Sequence, residues 1–148
     1  MKKILVILLF FSTITIYAQV ENVPQKIKTT FSQKFPSVTD VSWFIENDNE
    51  WAAEFETNNK AYSMSFDKDG NWKETVSALN FSAIPTKIRA TIRKELPGYR
   101  LEDASISETP QRKAYQFQLV KGTNEVEIII SFDNKVLQKT KEENKSDE

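Results

Sequence analysis

The sequence predicts an α+β protein of two tandem repeats. Each repeat is one helix followed by about four antiparallel strands, with the helices packed on one face of the sheet. Three observations lead there. A 14-residue segment recurs at an offset of 61 residues. Apolar residues inside both copies fall at every fourth position, the stripe of an amphipathic helix. After each copy the apolar period changes to two, the alternation of a half-buried strand.

The first 18 residues stand outside this plan. Lys2 and Lys3 precede an apolar run from Ile4 to Phe11 that continues to Ala18. This is the layout of a secretory leader cut after Ala18. Ile4 to Ala18 is 15 residues, against about 20 needed to span a bilayer, so the mature chain is expected to have no membrane span and to be periplasmic or secreted. Removing Lys2 and Lys3 from the 20 basic residues leaves 18 against 21 acidic ones, a net charge of −3. That balance lacks the basic bias of nucleic-acid binding. The chain has no cysteine although export would permit disulfides, so apolar burial must hold it together. Ten Phe, four Tyr and three Trp supply bulk for a core.

The first helix is read from "VPQKIKTTFSQKFP", Val23 to Pro36, and the second from "IPTKIRATIRKELP", Ile84 to Pro97. Val23, Ile27, Phe31 and Phe35 draw one stripe; Ile84, Ile88, Ile92 and Leu96 draw the other. Pro24 and Pro85 suit the first turn, where a missing N–H is harmless. Pro36 and Pro97 stop the helices, because a proline pushes the preceding residue out of the α region. Such a stripe is the mark of core packing.

Strands follow. Val41, Trp43 and Ile45 alternate with Ser42, Phe44 and Glu46; Trp51, Ala53 and Phe55 alternate with Ala52, Glu54 and Glu56. Asn47 to Glu50 reads as the turn between them. Tyr62, Met64 and Phe66 alternate with Ser63 and Ser65, and Asn71 to Val76 gives a fourth strand. The second copy runs from Arg100 to Ser107, turns at Glu108 to Lys113, and continues with Tyr115, Phe117 and Leu119 against Gln116 and Gln118. Val126, Ile128, Ile130 and Phe132 alternate with Glu127, Ile129 and Ser131, and Lys135 to Lys139 ends the set. The expected organisation is residues 1–18 as leader, 19–78 and 79–140 as repeats, and 141–148 as a disordered charged tail. Ala78 to Ala83 is the join. Units of about 60 residues are small for independent stability, so the repeats are expected to share a core, through one continuous sheet or otherwise.

The pattern Val23-Pro24, Phe35-Pro36, Val41-x-Trp43, then "FDKDGNW" with Thr75, resembles the PepSY-like family of exported bacterial proteins, which share a fold with the beta-lactamase inhibitor protein. The resemblance covers essentially the whole mature chain. The second repeat departs from it in lacking the matching tryptophan and the turn glycine. The resemblance implies a tandem helix-plus-four-strand architecture outside the cytoplasm and no established activity. It also implies an open sheet face presented to a protein partner.

The residues themselves argue against an enzyme. Without histidine or cysteine, the commonest general base, the thiol nucleophiles and the usual zinc ligands are missing. Neither a nucleophile elbow nor a phosphate loop is present. Glu54 and Glu56, on one strand face, are the carboxylate pair a cryptic hydrolase would use, but ordinary solvated strand positions are the stronger reading of them. The "SFDKDGNWKE" stretch imitates a calcium loop. With Gly70 at the sixth position, however, the twelfth is Val76 and the bidentate carboxylate is missing, so it reads as a hairpin turn. Trp43, Trp51 and Trp72 could form a sugar-stacking platform, but Trp43 falls on the core face, while Trp51 and Trp72 lie near strand ends with room for partial exposure. No metal or cofactor is expected. The partner-binding candidates are the residues alternation places on the open face: Phe44, Glu54, Glu56, Ser63, Ser65 and Lys73 from the first half, and Gln116, Gln118, Glu127 and Ile129 from the second, beside Ser42 and Ser131. Phe44 and Ile129 are the apolar anchors among them. The expected function is capture of a protein or peptide, as an inhibitor or modulator; the alternative is a small-ligand or metal-ion sensor using surface carboxylates.

Overall fold

A computed structural model describes residues 22–46 and 50–142. The leader at 1–18, most of the turn at 47–50 and the tail from 143 lie outside these residues. Helix α1 (Gln25–Lys34) is followed by strands β1 (Ser42–Ile45), β2 (Trp51–Thr57), β3 (Lys60–Phe66) and β4 (Trp72–Ala78). A 3-10 turn (Phe81–Ala83) leads to α2 (Thr86–Glu95), then β5 (Arg100–Glu108), β6 (Lys113–Lys121), β7 (Asn124–Ser131) and β8 (Val136–Glu142). The last strand takes in Lys141 and Glu142, which were expected to begin the tail.

The two helices match in local geometry. Pro24 (φ −56°, ψ 138°) and Pro85 (φ −58°, ψ 142°) stand just before their helices, one step earlier than the first-turn place expected of them. Their carbonyls accept the first helical bonds, from Lys28 N at 3.2 Å and Arg89 N at 3.0 Å. Phe35 (φ −131°, ψ 66°) and Leu96 (φ −133°, ψ 65°) end the helices outside the α region, as the prolines after them require.

The tandem-repeat architecture is corrected by the strand pairing. Among the described residues, eight strands form one antiparallel sheet in the order β1 to β8, and the fold is mostly sheet with two short helices. β4 pairs with β5 through Thr75↔Glu108, Val76↔Ser107, Ser77↔Ile106 and Ala78↔Ser105, so the sheet does not divide where the sequence repeat does. The physical reason is the edge: two four-stranded sheets would leave rows of unpaired backbone groups that β4 and β5 satisfy in each other.

The sharing is of sheet, and the expected common core is replaced by two. Ile27 and Phe31 of α1 pack with Trp51, Ala53, Phe55, Met64 and Phe66. Ile88 and Ile92 of α2 pack with Ala104, Phe117, Leu119, Val126, Ile128 and Ile130. The row Phe55↔Tyr62↔Ser77↔Ile106↔Tyr115↔Ile130 joins strands of both clusters, so both helices cover the same face. Between the clusters that face is polar, with Thr75 and Ser77 at the seam. The first core is aromatic: Phe31 stands edge-on to Phe55 at 5.0 Å between ring centroids and to Trp43 at 5.4 Å. All three tryptophans belong to it or pack against it. Trp51, expected to be partly exposed, is 8% exposed, which removes the stacking platform.

Candidate functional site

The face opposite the helices is concave. Residues from β1 to β7 line a trough of about 850 Å³. Pairing carries one row across it, from Ser42 through Glu54, Ser63, Val76 and Ser107 to Ala114. The floor is small: Ala61, Ser63, Val76, Ala78 and Ser105 line it. Ser63 and Ser105 are buried despite lying on the uncovered face, because taller rim side chains shield them.

Six of the sequence-derived candidates meet there: Glu54, Glu56, Ser63, Gln116, Gln118 and Glu127, with Ser42 beside them. The other four do not line the trough. Phe44 is half-buried on the edge strand, opposite Ala52. Ser65 is buried farther along β3. Lys73 is the extra residue of a bulge, since Phe66 pairs with Trp72 and Ser65 with Glu74; its Nζ reaches Glu50 Oε1 at 2.7 Å. Ile129 is a correction: expected as an exposed anchor, it is 6% exposed beside a second bulge, between Ile129 and Ile130.

Sequence reasoning missed Asp40, Glu102, Asp103, Glu125 and the small floor. Glu102 and Asp103 are adjacent, and strict alternation would separate them. A bulge between Leu101 and Asp103 lets both line the trough. Glu125 was recoverable, being two residues before Glu127 on one strand.

The rim electrostatics are one-sided. Seven carboxylates line the trough and no lysine or arginine does. Glu102 is bridged to Arg100 at 3.2 Å, and Glu127 accepts from Gln116 Nε2 at 2.6 Å. Asp40, Glu54, Glu56, Asp103 and Glu125 make no ion pair among the described residues. The walls withdraw enough water from Glu54 to push its carboxyl above the ordinary value. Burial, with the Glu50 carboxylate adding, does the same to Glu46 at the edge, against the pull of Lys73. Gln118 Oε1 is shielded from solvent and accepts no hydrogen bond among the described residues. Among those residues no three acidic groups converge closely enough to hold a metal ion.

The "SFDKDGNWKE" stretch forms the β3–β4 turn. Asp67 Oδ1 accepts from Asp69 N and Asn71 N, both at 2.9 Å, and Gly70 N donates to Asp67 O. The carboxylate is spent on its own turn, and the Asn71 amide leads in holding it below the usual range.

A one-sided helical cover and an uncovered concave sheet face define an open-faced antiparallel-sheet protein. Residues 49–138 match the PepSY-like family, described as "Putative beta-lactamase-inhibitor-like, PepSY-like", and the chain belongs to that family. Three solved structures share the fold. A BLIP-like protein from Bacteroides fragilis superposes with a TM-score of 0.72 at 19% identity, covering 86% of this chain and 94% of that one. A DUF2874 family protein from Bacteroides ovatus gives 0.73 at 14% identity, covering 82% and 89%. One of the "putative periplasmic proteins" of Bacteroides eggerthii gives 0.71 at 14% identity, covering 81% and 89%. No curated protein matches the chain. Among the described residues no helix is long and apolar enough to cross a membrane.

Proposed function

We propose that the mature chain, freed of its leader after Ala18, is a periplasmic or secreted binding protein without catalytic activity that docks a protein or peptide in the open-face trough. The observation that carries this reading is the trough itself. It unites six residues chosen from alternation alone, on a face that neither helix covers. The small floor favours an inserted loop or extended segment, since backbone can approach closely where side chains are short. The beta-lactamase-inhibitor likeness of the family agrees with a protein partner, and fold alone does not name that partner.

Filling the trough tests this. Ala61 is exposed on the uncovered face, so Ala61→Trp adds bulk to the trough and leaves the helix-side core alone. Affinity capture from the envelope fraction by the mature chain, read by mass spectrometry, is expected to yield a partner that Ala61→Trp loses at unchanged melting temperature. A partner retained by Ala61→Trp overturns the placement.

A further inference from the structure

We infer that the trough selects a cationic polypeptide segment, one carrying several lysine or arginine side chains. This rests on the docking reading above and adds the chemistry of the occupant. Five rim carboxylates, Asp40, Glu54, Glu56, Asp103 and Glu125, have no basic partner among the described residues, and two more line the same trough in polar pairings. The mature chain is nearly balanced in charge, so this concentration is a segregation. The smaller cleft on the helix side carries Lys34, Lys60 and Lys113 around one carboxylate, Glu108, which bridges Lys34 at 3.8 Å and Lys113 at 3.3 Å. A concave wall of one sign focuses its field on whatever enters.

A second observation points the same way. Gln118, a half-buried lining residue, carries an amide oxygen that accepts nothing among the described residues. A turn of that amide toward the trough lets it accept from an N–H-bearing ligand and relieves the cost of the unmet acceptor. Carboxylates and an unused amide acceptor together favour a donor-rich, positively charged occupant.

The spacing separates a polypeptide from an ion. No three carboxylates among the described residues converge on one point. They are instead distributed from Asp40, two residues before β1, to Glu127 on β7. Six strand spacings make that roughly 30 Å, the length of about nine extended residues. Distributed charges match distributed charges; a divalent cation needs convergence.

The test uses the mature chain and a fluorescein-labelled decapeptide of alternating Lys and Ser, with Gln-for-Lys and Glu-for-Lys versions as controls, read by anisotropy. The cationic peptide is expected to bind at least roughly tenfold tighter than the neutral one and to weaken steeply as salt rises from about 50 to about 300 mM. Glu56→Lys with Asp103→Lys, both at exposed positions, should weaken it by roughly tenfold or more at unchanged melting temperature. The same charge change off the trough, Asp69→Lys with Glu95→Lys, should weaken it far less. Equal loss from both pairs would reduce the effect to net charge and overturn the inference. Equal binding of neutral and cationic peptides, both blocked by Ala61→Trp, overturns the charge selection and leaves docking intact. Calcium chloride displacing the cationic peptide at micromolar concentration overturns it in favour of a metal site. If no peptide binds and envelope capture is indifferent to Ala61→Trp, the docking reading itself falls.

Discussion

Gly70 sits at φ +76°, and a Cβ built there would lie 3.2 Å from Lys26 Cγ and 3.3 Å from Ile27 Cγ1. The turn therefore rests against α1 as well as bending the chain. Gly122, at φ +61°, meets nothing within 4 Å. Gly70→Ala is expected to cost roughly 2 kcal/mol in urea unfolding and Gly122→Ala roughly 1, the difference measuring the helix contact. Glu54 gives a pH signature. Its folded carboxyl is raised by loss of water, so the native state binds its proton more tightly than the unfolded chain does. Stability from this group is present below the ordinary carboxylate value and lost as pH rises through the raised one. Glu54→Gln should be more stable than the parent at neutral pH, with the gain vanishing in acid; an equal difference at both pH values would refute the assignment. Single residues of this kind were half legible. The alternation placed Glu54 on the open face, but nothing local announced how many other carboxylates the sheet gathers around it.

Each helix is tied to a turn at the far end of its own half. Thr30 Oγ1 lies 3.0 Å from Gly70 O, and Thr91 Oγ1 donates to Asn134 Oδ1 at 2.9 Å. Thr30 and Thr91 are equivalent at the 61-residue offset. Gly70 and Asn134 both hold positive φ, at +76° and +69°. The sequence comparison found no counterpart of Gly70 because asparagine, which also tolerates the left-handed region, does its work. Asp133 beside it accepts from Ser131 and Lys135, which hold its carboxyl down at about 2. Thr91→Val should lower stability by about 1 kcal/mol through loss of that bond. Ile88→Ala, at 2% exposure, should cost about 2–5 kcal/mol. The helices were legible apart from the place of their first prolines, since proline brackets and an i, i+4 stripe are local signals. Bulges at Ser65/Phe66, Leu101/Asp103 and Ile129/Ile130 were not. A bulge is a mismatch between two strands, and neither strand alone records it.

Across the whole molecule, two cores are joined by one ladder. β4 and β5 share four residue pairs, and Ser107 Oγ donates to Glu74 across the seam. All three tryptophans lie in the first half, so their fluorescence reports that half alone. Phe117 is fully buried in the second core. Phe117→Ala should cost about 3–5 kcal/mol. If the ladder couples the halves, the tryptophan transition in urea shifts together with the circular-dichroism transition. Separation of the two would mean that the halves unfold independently.

By itself the sequence determined the local periods: which segments are helices, which residues alternate, which side of each strand is apolar, and the PepSY-like family the chain belongs to. These depend on neighbours within a few positions. Tertiary structure decided what depends on partners distant in the chain. It closed the β4–β5 edge into one sheet, divided the apolar residues into two cores, buried Ile129, and bent the open face into a trough. There, carboxylates scattered from Asp40 to Glu127 face one another, because strand pairing and curvature set distances between residues that the linear order keeps apart.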